Sequence, residues 1–163
     1  MCASQNSAPR IVVGVDGSPS SIAALRWAIH HAELAGATID AVIAWEFPVV
    51  AGGFGWAPNA AFDGTDYTEL AAKTLSAAVA DANPQPGVIL NQVITEGIPA
   101  EALLRAAEDA DLLVVGNRGH SMLADALLGS VSVRCLHHAA CPVVIVRTPP
   151  EKHRFGYHAR SHV

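Results

Sequence analysis

The sequence contains no apolar run of the roughly 18–20 residues that a helix needs to cross a bilayer, although 51% of its 163 residues are apolar. Its first residues, Met1-Cys2-Ala3-Ser4-Gln5-Asn6-Ser7, lack the basic start and the apolar stretch of a secretory signal peptide, so a cytoplasmic location is the expectation. Cysteine is scarce. Cys2, Cys135 and Cys141 are odd in number and form no CxxC pair, which argues against a disulfide framework and against a zinc site. Free buried thiols are expected at Cys135 and Cys141. Two familiar phosphate loops are absent. There is no GxxxxGK[ST], and Gly14-Val15-Asp16-Gly17 after the first predicted strand has the wrong spacing for GxGxxG. Positive charge is also sparse over most of the chain. Residues 1–146 carry a net −8 and residues 147–163 a net +3, for −5 overall. An acidic body of this kind excludes a broad phosphate-backbone face for nucleic acid.

What is present is a length suited to one domain with a real core and a regular alternation of strand and helix patterns. Arg10 to Val15 is a β-branched run without polar alternation, as in a strand buried on both faces. Ser18 can cap a following helix with Pro19 in its first turn, and Gly36 is a natural stop. Ile22, Leu25, Trp27, Ala28 and Ala32 are its candidate buried residues. Thr38 to Trp45 is a second strand. Glu46 to Gly64 holds Pro48, Gly52, Gly53, Gly55, Pro58 and Gly64, and is expected to be a long surface loop or lid, partly pinned by Phe54 and Trp56. Thr68 to Ala82 reads as a helix burying Leu70, Ala71, Leu75, Ala78 and Val79, stopped by Asn83-Pro84. Val88 to Thr95 is a third strand, and Gly97-Ile98-Pro99 opens a third helix with Leu103, Leu104 and Ala107 inside. Asp111 to Val115 and Pro142 to Val146 are the fourth and fifth strands, with a helix from Ser130 to His138 between them.

The expected fold is therefore α/β: a single doubly wound five-stranded parallel sheet with helices on both faces, Rossmann-like in the broad sense. Ligands of such sheets bind beyond the carboxyl ends of the strands, at the switch point in strand order. Residues 1–8 are expected to form a flexible N-terminal tail, and residues 148–163 a basic, histidine-containing, mobile one. His153, His158 and His162 lack regular helical spacing and a nearby carboxylate cluster, so no metal site is expected there.

The chemically informative stretch is Gly116-Asn117-Arg118-Gly119, nine residues, then Gly129-Ser130. Glycines at a strand end let main-chain N–H groups approach a ligand without a Cβ in the way. A helix start at Gly129-Ser130 adds orphan amides, a hydroxyl and the positive end of the helix dipole. Together they predict an anion cradle, and phosphate is the commonest anion held this way.

This pattern resembles the nucleotide-binding motif of the universal stress proteins, in their ATP-binding branch. Val13-Gly14-Val15-Asp16-Gly17-Ser18 is similar to that family's first strand and turn, Gly97-Ile98-Pro99 to its third helix start, and Ala140-Cys141-Pro142-Val143-Val144-Ile145-Val146 to its last strand. The resemblance covers roughly residues 9–147, a universal stress protein-like nucleotide-binding domain. It implies that Gly14 and Asp16 face the adenosine end, with Asp16 accepting hydrogen bonds from a base amine or a ribose hydroxyl. Ala44 and Trp45 would flank the adenine. Val115, Gly116, Arg118 and Gly119 would line the ribose and phosphates, with Arg118 as a guanidinium for phosphate, and Gly129, Ser130 and Val131 would supply amides. His120 lies close by in sequence but is not assigned a contact.

The implied cofactor is ATP, with any Mg²⁺ bound through the phosphates. No catalytic residue is assigned, since only Asp16 and Asp125 are carboxylates near the site in sequence. The resemblance implies a nucleotide-dependent regulator in stress response with at most slow hydrolysis. It also implies a homodimer through the apolar edge of Pro142–Val146; no nucleic-acid or membrane partner is expected. Two other readings stay open at this level: a nucleotide-using hydrolase or transferase on the same fold, and a flavodoxin- or receiver-like domain.

Overall fold

The computed structural model describes residues 8–46, 66–119 and 128–148. Most of the expected 46–64 loop, with Phe54 and Trp56, lies outside the described residues. So do His120, Asp125, Cys2, residues 1–7 of the N-terminal tail and residues 149–163 of the C-terminal one. The elements run β1 (Arg10–Gly14), α1 (Pro19–Ala35), β2 (Thr38–Trp45), α2 (Tyr67–Ala82), β3 (Leu90–Glu96), α3 (Pro99–Ala106), β4 (Leu112–Gly116), α4 (Ser130–His138) and β5 (Val143–Val146). All strand pairs are parallel, in the order β3-β2-β1-β4-β5. Among the described residues, no helix is long and apolar enough to cross a membrane.

The two faces of the sheet bury different residues because strand side chains alternate. Ile11, Val13, Ile39, Ala41 and Val114 pack under α1 and α2. Val12, Val42, Leu113 and Val115 pack under α3 and α4 with Leu103 and Cys135. Local chemistry sets the helix ends. Ser18 Oγ accepts the Ser21 N–H at 3.2 Å, with Pro19 in the first turn. Gly36 closes α1 at φ 62°, where a Cβ is unfavourable. α2 starts at Asp66, which accepts the Glu69 N–H at 3.1 Å, and stops at Asn83 in the left-handed region.

Four expectations need correction. Trp27 is 37% exposed and Leu70 53%. The buried stripe of α1 is Ser21, Ala24, Leu25, Ala28, Ile29 and Ala32; Trp27 sits a step of 100° beside it and stacks on His31, with centroids 5.0 Å apart. Leu70 is likewise one step off the stripe Ala71, Leu75, Ala78 and Ala82. β3 starts two residues later than expected, at Leu90, and lies on a sheet edge, which leaves Val93 and Ile94 over a third exposed. Cys141 is only half-buried, whereas Cys135 is fully enclosed.

Candidate functional site

β1 and β4 are neighbours at the centre of the sheet, and the helices that follow them lie on opposite faces. The chain therefore parts above their carboxyl ends and leaves a crevice, as expected for a switch point. Gly14, Val15 and Asp16 form one wall, and Val115, Gly116, Arg118 and Gly119 the other. Val42, Ala44, Pro99 and Leu103 make an apolar side, and Gly129 to Ser132 close the end. The crevice has a volume of about 140 Å³, roughly ten times what a single water needs.

The polar groups at the crevice are tightly held. Asp16 Oδ1 accepts the Ser18 N–H at 2.9 Å, and the Asp16 N–H donates to Ser21 Oγ at 3.3 Å. This braces the β1–α1 turn, where Gly17 has φ 82°. The loop from Gly116 is fixed from several sides. Ser132 Oγ donates to Gly116 O at 2.6 Å. The Asn117 N–H donates to Val146 O at 2.9 Å, and Asn117 O accepts the Gly129 N–H at 2.8 Å. The start of α4 is thus tied back onto the loop that leaves β4.

The three glycines of the loop and helix start are not equivalent. A Cβ on Gly116 would collide with Ser20 Oγ and lie 2.7 Å from Ser20 C and 2.8 Å from Ser20 O. Glycine at 116 lets β4 meet the backbone of α1, a packing reason for the missing Cβ that stands beside its place in the crevice wall. A Cβ on Gly119 would meet Asp16 Oδ2 at 2.8 Å. At Gly129, by contrast, φ is −75° and ψ 161°, open to any residue. An added Cβ there would touch Arg118 Cα at 3.6 Å and Asn117 O and Gly119 N at 3.7 Å, which is ordinary contact. Packing among the described residues does not require glycine at 129.

The helix start differs in one respect from the expected serine cap. Gly129 is the N-cap, and Ser130 is the first helical residue. The orphan amides of the first turn are those of α4, whose dipole favours an anion at this end. Arg118 is the one cation among the described lining residues, and it is exposed. The arrangement offers an apolar slot beside a polar, amide-rich end. Among the described residues, no three His, Cys, Asp or Glu side chains group as metal ligands would.

Of the residues singled out from sequence, Gly14, Asp16, Ala44, Val115, Gly116, Arg118, Gly119, Gly129, Ser130 and Val131 all line the crevice. Trp45 does not. It stacks on Tyr67 at 6.0 Å and packs with the α1–α2 face. Val15, Ser21, Val42, Pro99, Leu103 and Ser132 also line it and were not singled out. Pro99 had a signal, as it opens α3 after a strand; Ser132 had none beyond its place in a helix first turn. A larger depression, about 400 Å³, lies at the opposite end of the sheet between Gly36 and Val88. Glu33 is the sole charged residue among the described residues that line it, which does not suit an anion.

Comparison with known proteins gives one family. Residues 8–147 match the sequence model described as the universal stress protein family. Universal stress protein Rv2623 of Mycobacterium tuberculosis is 36% identical over 154 residues, covering 88% of this chain and 49% of its own length. The chain spans about half the length of the curated relatives it matches. Among solved structures, the protein MJ0577 superposes with a TM-score of 0.69 at 20% identity, covering 88% of this chain and 98% of its own. A universal stress protein solved in complex with cAMP superposes with a TM-score of 0.58 at 28% identity, covering 86% and 98%.

Proposed function

Because the chain belongs to the universal stress protein family, we propose that it binds ATP in the crevice above β1 and β4 and acts as a nucleotide-dependent regulator in stress response. The observation that carries this is Gly129. Neither its backbone angles nor its neighbours among the described residues require glycine, yet it stands where a phosphate would meet the first amides of α4. In this reading the base and ribose lie along Val42, Ala44 and Val131, and Asp16 accepts from a ribose hydroxyl or base amine. The phosphates lie toward Arg118, Gly119 and Ser130. Trp45 supports the slot from behind, through the sheet, and makes no contact with the base.

The cAMP complex of a relative supports an adenine nucleotide as the ligand class. Any Mg²⁺ would be carried by the phosphates. Asp16, the one carboxylate among the described lining residues, already accepts the Ser18 N–H. The proposed role is accordingly binding, with at most slow turnover. A second copy would pair along the edge strand Val143–Val146. The test is to denature the purified protein and identify the released small molecule by mass spectrometry, followed by calorimetry with ATP, AMP and adenosine. An adenine nucleotide released, or bound with measurable heat, supports the reading. A released flavin, or turnover of ATP approaching roughly 1 s⁻¹, overturns it.

A further inference from the structure

Asn117 lies between the two glycines of the loop, is 3% exposed and does not line the crevice. Its carboxamide oxygen gathers donors from two distant parts of the chain: Ser20 Oγ at 2.9 Å, the Thr148 N–H at 3.3 Å and Thr148 Oγ1 at 3.5 Å. Ser20, 4% exposed and also behind the wall, carries the relay forward, since its hydroxyl accepts the Arg118 N–H at 3.3 Å. One buried oxygen thus ties the start of α1, the loop leaving β4 and the residues just past β5 together. Low local dielectric strengthens such a network when it is satisfied and makes a missing member costly.

Resting on the nucleotide reading above, we propose that Asn117 and Ser20 are a positioning pair: they aim the Arg118–Gly119 main chain at the phosphates and link the filled crevice to the chain at Thr148. The pair acts on one end of the ligand. Ala44 and Val131, assigned above to the nucleoside, make none of the pair's hydrogen bonds, and Asp16, though four residues before Ser20, is braced separately through Ser18 and Ser21. Loss of the relay therefore weakens the grip on phosphate and leaves the grip on the nucleoside. By linkage, a ligand that favours the aligned loop also favours the Thr148 N–H bond. Thr148 is followed by Lys152, Arg154 and Arg160, so the nucleotide state reaches the anchored root of the basic segment.

The experiment uses the full chain with Asn117→Ala and Ser20→Ala. Calorimetry is run with ATP and with adenosine, and amide hydrogen exchange is followed at Thr148 with and without ATP. Both variants are expected to bind ATP about tenfold or more weakly, the usual scale for an unsatisfied buried hydrogen bond, and adenosine within about twofold of the parent. ATP is expected to slow exchange at Thr148 in the parent and not in Asn117→Ala. A structural defect alone would weaken both ligands together. That result, or unchanged ATP affinity in a folded variant, overturns the proposal. Should Asn117→Ala fail to fold, Ser20→Ala carries the test, since it trades one hydroxyl in a helix first turn for a strong helix former. If the parent binds neither ATP nor adenosine, the nucleotide reading itself fails; if the parent binds both and the variants keep the same ratio, only the positioning pair fails.

Discussion

Replacing Gly129 with alanine separates folding from binding. At φ −75° and ψ 161° alanine is unstrained. Its methyl would lie 3.6 Å from Arg118 Cα and 3.7 Å from Asn117 O and Gly119 N, all tolerable contacts. Alanine is a poorer N-cap than glycine, by about 1 kcal/mol, but it reduces the entropy of the unfolded chain by a comparable 0.4–1 kcal/mol, about what the cap loses. The melting temperature should therefore stay within about 4 °C of the parent. Binding should not survive as well. The methyl occupies the gap between Gly119 N and the first turn of α4, where an acceptor about 2.9 Å from that nitrogen would sit. Overpacking of about 1–3 kcal/mol corresponds to roughly 5- to 150-fold weaker ATP binding. Gly116→Ala is the matched control with the opposite outcome. Its added carbon meets backbone atoms of Ser20 at 2.7 and 2.8 Å, so the melting temperature should drop by about 5 °C or more. Thermal melts and calorimetry on both variants decide the matter. Gly129→Ala binding ATP like the parent would refute the reasoning, as would Gly116→Ala melting like the parent.

Other consequences are equally direct. Trp45→Phe should leave the ATP dissociation constant within about twofold, because Trp45 stacks on Tyr67 outside the crevice; a tenfold loss would place the indole at the base. Burial, with a smaller contribution from Cys141, pushes the Cys135 thiol up from 9.0 to about 11. The folded state holds the proton more tightly, so this contribution is intact below pH 9 and is lost as pH rises towards about 11. Melts should therefore fall more steeply between pH 9 and 11 in the parent than in Cys135→Ala, and a thiol reagent at pH 8 should reach Cys135 only on unfolding. Asp40 accepts from Arg10 at 2.9 Å and from Asn91 at 2.8 Å; Asp40→Ala should cost about 1–3 kcal/mol in chemical denaturation without altering nucleotide affinity.

Much of the fold was legible because each element announces itself locally. The β-branched runs at Ile11–Val13 and Leu113–Val115 fit doubly covered strands, and Ser18-Pro19 and Gly36 mark the ends of α1 through capping chemistry that involves only near neighbours. The errors arose where a tertiary partner decides. Trp27 and Leu70 are apolar enough for either side of a helix, and only the docking angle on the sheet puts them one step outside. The strand pattern of β3 is the same for an edge as for a centre. At the crevice, strand ends and the glycine spacing pointed to the right loops. The division of labour among Gly116, Gly119 and Gly129 did not follow from spacing, because it depends on how closely Ser20 and Asp16 approach across the fold. Asn117 stands inside the glycine motif, but its pairing with Ser20 carried no sequence signal, the two being 97 residues apart.

The most direct measurement is an amide NMR titration of the ¹⁵N-labelled protein with ATP. The account predicts saturating shifts at Gly119, Gly129, Ser130 and Val131, with Thr38, Val88 and Ile89 at the opposite end of the sheet unmoved. Shifts confined to that opposite end, or none anywhere at millimolar nucleotide, would contradict it.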